Sequence, residues 1–292
     1  MGAALREIKR KVQGVEKTKQ ITRAMNMVAA SKLTQAQTRM ENFRAYAGKI
    51  TEILQDVSER VEGDSHPLLA VRESKRAVVI VMTSDRGLCG GFNSNIIRVA
   101  DRLIKDIKAE GKEVSLIAVG KKGRDIFRRK ETISKAYVDA LKSFDISLAN
   151  EIADMVMASF RTEECDEVHL VFSEFVNMGS QKPLTMRVLP LERPEREEED
   201  PSQVLEYLYE PPAEVILDRI IPTYVRSIVY RGLLETSAGE HGARMVAMDN
   251  ATRACDDMIE TLTLQFNKAR QAAITGELMD IVGGTEALAA SK

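Results

Sequence analysis

The chain has 292 residues, 44% of them hydrophobic, which is enough to fill a sizeable core and excludes a disordered polypeptide. A charged fraction of 29% beside only 5% aromatic residues and no Trp leans towards long exposed helices, because aromatic rings normally supply much of a compact core. A net charge of −2 excludes the strongly basic footprint of a general nucleic-acid binder.

The first 66 residues contain no Pro, and nine Lys or Arg against two acids give Met1 to Met40 a net charge of +7. A low-polarity stripe recurs there at alternating steps of three and four: Ile8, Val12, Val15, Thr18, Thr22, Met25, Ala29, Leu33, and on through Val57 and Val61. That spacing predicts one long helix with a coiled-coil seam, about 80 Å at the α-helical rise. Gly63, Asp64 and Pro67 are its stop signals.

Beyond Pro67 the period changes. Ala77 to Met82 (AVVIVM) is an apolar run of buried-strand type, followed by a Gly-rich turn and an amphipathic stretch from Asn93 to Glu110. Val114 to Val119 reads as a second strand, Ile146 to Phe160 as a helix, and Glu167 to Val176 and Leu184 to Leu191 as two more strands. The alternation predicts a small doubly wound parallel sheet with an antiparallel edge. From Glu192 to Glu214 nine acids face two Arg, a net −7, and the Pro-containing part of that stretch reads as a solvated loop.

The last third repeats the helical stripe from Leu217 through Ile220, Tyr224, Ser227 and Arg231 to Ala269, Ala273 and Gly276. Pro222 either kinks this helix or sits in its first turn. Two terminal helices that each carry one stripe can bury both by pairing antiparallel. A seam rich in Ala, Thr and Met permits close approach with less hydrophobic stabilisation than a Leu zipper.

The turn Ser84 to Gly91 (SDRGLCGG) lies where α/β folds place phosphate-binding turns, yet its spacing is neither GxGxxG nor GxxxxGK[ST]. Gly120, Lys121 and Lys122 lack the flanking residues of a P-loop. Cys89 would need a base to act as a nucleophile, and His66, His169 and His241 fall in segments with other expected roles, so a small buried thiol is the expectation. His169 reads as a core or edge residue of its strand. Cys89, Cys165 and Cys255 are too widely spaced for a disulfide framework or zinc site, which points to a reducing compartment. No apolar run long enough to span a membrane or serve as a secretory leader is expected.

ITRAMNMVAASKL (Ile21 to Leu33) and RMVAMDNATRACDDMIETLTLQFNKARQAAITGELMDIVGG (Arg244 to Gly284) resemble the terminal helices of the gamma subunit of F-type ATP synthases. SDRGLCGGFN and YLYEP (Tyr207 to Pro211) are similar to that family's central-domain turn and domain end, and the likeness runs in order along nearly the whole chain. It implies a long antiparallel coiled coil of N- and C-terminal helices (residues 1–66 and 211–286) plus a Rossmann-like α/β central domain (75–210). The resemblance further implies a rotor shaft inside a hexamer of alpha and beta subunits, with an epsilon subunit and a membrane c-ring at its foot. Catalysis and nucleotide binding would then belong to the partners, and no cofactor, metal or nucleic acid to this chain.

Position by position, the resemblance implies beta-subunit contacts at Arg23, Met25, Arg270, Gln271 and Thr275; Met27 on the same basic helix reads by itself as a packing residue. It implies an apolar bearing tip at Leu278, Met279, Ile281 and Val282, and a foot that includes Tyr207 and Glu210. Gly276 departs from the family's usual long polar residue, and Pro222 is also unexpected. The absence of a cysteine pair after the third strand matches bacterial members and implies a peripheral place on the cytoplasmic face of the plasma membrane. The rival reading is a small α/β enzyme binding a nucleotide or sugar phosphate at Asp85 to Gly91, with helical dimerisation arms.

Overall fold

The computed structural model of the protein describes residues 3–58, 66–191 and 213–290. In chain order the main elements are α1 (Ala3–Ser58), β1 (Arg76–Met82), α2 (Phe92–Ala109), β2 (Glu113–Val119), α3 (Lys121–Phe127), β3 (Thr132–Tyr137), α4 (Ile146–Arg161), β4 (Glu167–Asn177), β5 (Ser180–Leu189) and α5 (Ala213–Ala290). Two compact units divide them: Met1–Val28 with Met245–Lys292, and Ala29–Arg244.

In the first unit the start of α1 pairs antiparallel with α5. Thr22 Oγ1 lies 2.8 Å from Thr252 Oγ1, Asn26 Nδ2 donates to the Met245 carbonyl at 2.9 Å, and Lys19 forms an ion pair with Asp256. Ile8, Val12, Val15 and Met25 are half-buried and Thr22 is buried, as the stripe predicts. Thr18 is the exception: it is exposed, and Lys19 turns inward in its place because Asp256 offers its ammonium a partner.

The second unit is built on a five-stranded sheet of order β3-β2-β1-β4-β5, parallel except for β5, which pairs antiparallel with β4. β1 is buried at six of its seven positions, which is why its sequence is a continuous apolar run and not an alternating one. On one face, Phe92, Ile96, Ala100, Ile104 and Ile107 of α2 cover Val79, Val81 and Val171. α4 opens on Asp145, whose carboxylate accepts the Ser147 N–H at 3.0 Å and so caps the helix.

Ala29, Leu33, Ala36, Met40, Ile50, Leu54 and Val57 of α1 are buried, continuing the predicted stripe within this unit. α5 departs from expectation here. Between Val225 and Arg244 it is buried on nearly every side, where a single stripe was expected. One face meets α1, through Phe43 edge-on to Tyr230 with ring centroids 4.8 Å apart, and another meets the sheet through Gly232, Gly239 and Gly242.

Pro222 lies inside α5, past its first turn, and the helix continues through it with no N–H available for the Asp218 carbonyl. The stop predicted at Gly63 and Asp64, and the acidic loop from Glu192, lie outside the described residues. β3 and α3 were not expected from the sequence, and the last strand covers Ser180–Leu189 where Leu184 to Leu191 was expected. Asn177 Oδ1 accepts the Gly179 N–H at 2.9 Å and makes the β4–β5 connection a tight hairpin, so the polar residues Gln181 and Lys182 join the strand.

Candidate functional site

The Gly-rich turn after β1 sits beside the point where the sheet order reverses, the crevice in which open α/β sheets hold ligands. Its shape is held internally. Ser84 N–H donates to Asn93 Oδ1 at 2.9 Å, and Asn93 Nδ2 donates to Ser84 Oγ and to Cys89 Sγ. Asp85 Oδ1 accepts the backbone N–H groups of Lys121 and Asp139, both at 2.9 Å, tying three loops together. Gly120 has φ +93°, and a Cβ there would fall 1.9 Å from the Thr83 carbonyl oxygen, so only glycine fits that approach.

Helix α5 packs beside the crevice. A Cβ at Gly232 would lie 2.9 Å from Met82 Sδ, at the end of β1, and 3.1 Å from Leu170 Cδ2 of β4. Arg244 Nη2, fixed by a 2.7 Å bond to Glu240, donates to the Gly87 carbonyl at 3.2 Å. α5 therefore packs over the end of β1, and its Arg244 side chain reaches the turn at which a nucleotide-binding enzyme would hold its ligand. Cys89 is buried as expected, and burial pushes its thiol up, away from nucleophilic chemistry.

An ionic cluster around one buried carboxylate, which no sequence motif signalled, ties α1, α5 and β4 together. The Glu235 side chain is fully buried; it accepts from Arg44 Nη2 at 3.2 Å and from the Phe175 backbone N–H at 2.8 Å, with Arg231 Nε 3.8 Å away. Arg231 in turn pairs with Glu174 at 3.2 Å.

The implied partner-contact residues fall in the first unit. Arg23 is exposed and Met25 half-buried on α1; Met27 is 60% exposed. Arg270, Gln271 and Thr275 are exposed on α5. These residues form two separate groups: the Thr22–Thr252 pairing puts Arg23 level with the turn around Thr252, and Arg270 lies five helical turns further along α5. Continuing the register sets Ala3 level with Gln271 and Ala272. From Ile274 to Thr285 every residue of α5 is exposed, including Leu278 (57%), Met279 (66%), Ile281 (63%) and Val282 (51%). Nothing stands within 4 Å of a Cβ built at Gly276. Tyr207 and Glu210 lie outside the described residues.

The histidines separate cleanly. His169 bonds Glu167 at 3.1 Å in its strand, and His66 is buried, accepting the Leu68 N–H at 3.1 Å. His241 is half-buried; burial, then the positive charges of Arg244 and Lys32, lower its pKa to about 4 from an ordinary 6.5. Between those values the unfolded chain binds a proton that the folded chain refuses. Stability is therefore complete above pH 6.5 and is lost as the pH falls towards about 4, by roughly 2 kcal/mol once solvent screening at this half-buried ring is allowed for. Urea midpoints measured across that range are expected to fall, and His241→Gln is expected to flatten the slope.

Paired antiparallel terminal helices, and a mostly parallel sheet with α5 packed beside its ligand crevice, define a helical stalk protein on a nucleotide-type α/β scaffold. The ATP synthase family profile matches residues 4–288. The chain belongs to the ATP synthase gamma-chain family. It is 55% identical over 288 residues to the ATP synthase gamma chain of Syntrophus aciditrophicus, covering 98% of this chain and 99% of that one, and 51% identical over 287 residues to that of Nitratidesulfovibrio vulgaris strain Hildenborough. Among solved structures it resembles a chain of the Tetrahymena thermophila mitochondrial ATP synthase central stalk and c-ring, with TM-score 0.60 and 28% identity over 79% of this chain and 99% of that one. A chain of the Euglena gracilis mitochondrial ATP synthase shares the fold at TM-score 0.67 and 20% identity, over 100% of this chain and 97% of that one. No helix among the described residues is long and apolar enough to cross a membrane.

Proposed function

We propose that this chain is the central rotor stalk of an F-type ATP synthase, coupling c-ring rotation driven by an ion gradient to conformational change at catalytic sites on the beta subunits. Full-length identity of 55% to a bacterial ATP synthase gamma chain carries this reading. Its partners are the alpha and beta subunits of the catalytic hexamer, the epsilon subunit and the c-ring. The chain works as a non-catalytic subunit at the cytoplasmic face of the bacterial plasma membrane, held there peripherally by the complex. Residues 1–66 and 211–286 serve as the shaft, and residues 75–210 as the central domain. The enzyme reading loses support because α5 packs beside the crevice and its Arg244 reaches the turn Ser84 to Gly91.

In thermodynamic terms each orientation of the shaft is a ligand with different affinities for the open and closed beta conformations, and only that difference drives the cycle. Arg23, Met25, Arg270, Gln271 and Thr275 supply it, the two arginines by meeting acidic groups on beta. Leu278, Met279, Ile281 and Val282 turn in an apolar bearing, which accounts for large apolar side chains left in water on the isolated chain. Tyr207 and Glu210 contribute to the foot.

Arg23→Glu or Arg270→Glu is expected to lower the protons pumped per ATP hydrolysed by the assembled enzyme. Losing about 1 kcal/mol of differential affinity weakens the bias on beta about fivefold. Proton pumping into inverted vesicles, measured beside the hydrolysis rate, reads this directly. Unchanged coupling in fully assembled variants would remove both arginines from the mechanism.

A further inference from the structure

Within the Ala29–Arg244 unit, α1, α5 and the short turn Ala140–Lys142 line an open cleft of about 100 Å³. Its polar lining is Lys32, Gln35 and Arg39 from α1, Lys142 and Ser143 at the turn, and Ser237 and His241 from α5. Three cations line it and no carboxylate does. The nearby acids are already engaged: Asp139 bonds Lys142 at 2.6 Å, and buried Glu240 bonds Arg244 at 2.7 Å.

The cations are held in different ways. Arg39 Nη2 donates to the Phe144 carbonyl at 2.8 Å while the guanidinium stacks 4.9 Å above the Phe144 ring, so its plane is fixed. Lys32 makes no ion pair among the described residues. His241 Nδ1 is buried without a hydrogen-bond partner, an unsatisfied group that a native structure rarely leaves without a reason. With a pKa depressed first by burial and then by Arg244 and Lys32, the ring is neutral at pH 7 and can carry its single proton on Nδ1.

We propose that this cleft binds one phosphate-sized oxyanion, held by Lys32, Arg39 and Lys142, with the His241 Nδ1–H and the Ser237 hydroxyl as neutral donors. Three cations around one cleft, of which Lys142 alone is paired with an acid, favour a compact anion over water. The volume admits a tetrahedral oxyanion. This inference makes no use of the rotor reading and stands or falls separately from it.

The test is calorimetric titration of the full chain with inorganic phosphate at fixed ionic strength, with chloride as control. Saturable one-to-one binding is expected, displaced by sulfate and indifferent to adenosine. Lys32→Gln and Lys142→Gln change exposed side chains, so both variants should keep the parent circular dichroism while binding about tenfold more weakly. Lys130→Gln, whose side chain does not line the cleft, should bind as the parent does. Heat that never saturates, equal affinity in all three variants, or binding of ADP but not of inorganic phosphate would overturn the proposal.

Discussion

Glu235→Ala is expected to destabilise the full chain by about 1–3 kcal/mol, the cost of leaving a buried N–H without its acceptor. The carboxylate is fully buried, and its loss leaves the Phe175 N–H, 2.8 Å away, without a partner, whereas the half-exposed Arg44 guanidinium can turn to water. Glu235→Gln keeps an oxygen for the Phe175 N–H and gives up only the charge, so it should fall between Ala and the parent. Glu174→Ala removes a partly exposed partner of the same Arg231 and should cost under about 1 kcal/mol. Equilibrium urea unfolding of the three variants gives the order. If Glu235→Ala unfolds no more easily than Glu174→Ala, the cluster does not hold α1, α5 and β4 together.

The physics behind this cluster also explains what could and could not be read from the sequence. β1 was legible because a strand buried on both faces must be apolar throughout, and AVVIVM is. The α1 seam was legible because one helix face meets one partner, giving a period that survives substitution by Thr or Met. β3 was not, since TISKAY is an edge strand with half-buried Ile133 and exposed Lys135, and its chain shows little apolar alternation. Helix α5 between Val225 and Arg244 was misread because glycine carries no hydropathy signal. Gly232, Gly239 and Gly242 form a contact face through what they lack. The Glu235 cluster was invisible for a related reason: a carboxylate in a helical pattern reads as solvated until the strand that donates to it is in place. Arg23 and Arg270 could be named only through resemblance, because an exposed arginine on a helix has no local signature of the surface it meets.

The contact face of α5 leads to the second large effect, a reversal of sign between two glycines in helices of the same unit. Gly239→Val is expected to destabilise the chain by about 1–3 kcal/mol net, the range found when extra carbon is forced into a filled core. Its Cβ alone would stand 2.9 Å from Phe92 Cε2 and 3.5 Å from Gln181 Cγ. Phe92 is the first residue of α2 and is itself buried among Val79, Val81 and Ile96, so its ring cannot swing aside without moving the helix start. Helix propensity opposes this loss by only a few tenths of a kcal/mol, since Val gains little over Gly in a helix. At Gly48 of α1 nothing lies within 4 Å of a built Cβ, so Gly48→Ala meets no resistance and should stabilise by about 0.5–1 kcal/mol through the same propensity term. Urea midpoints moving in opposite directions would show that α5 is held against the sheet by its missing side chains. Two midpoints raised together would mean that the helix does not press on Phe92 and that the crevice beside the β1 turn is open.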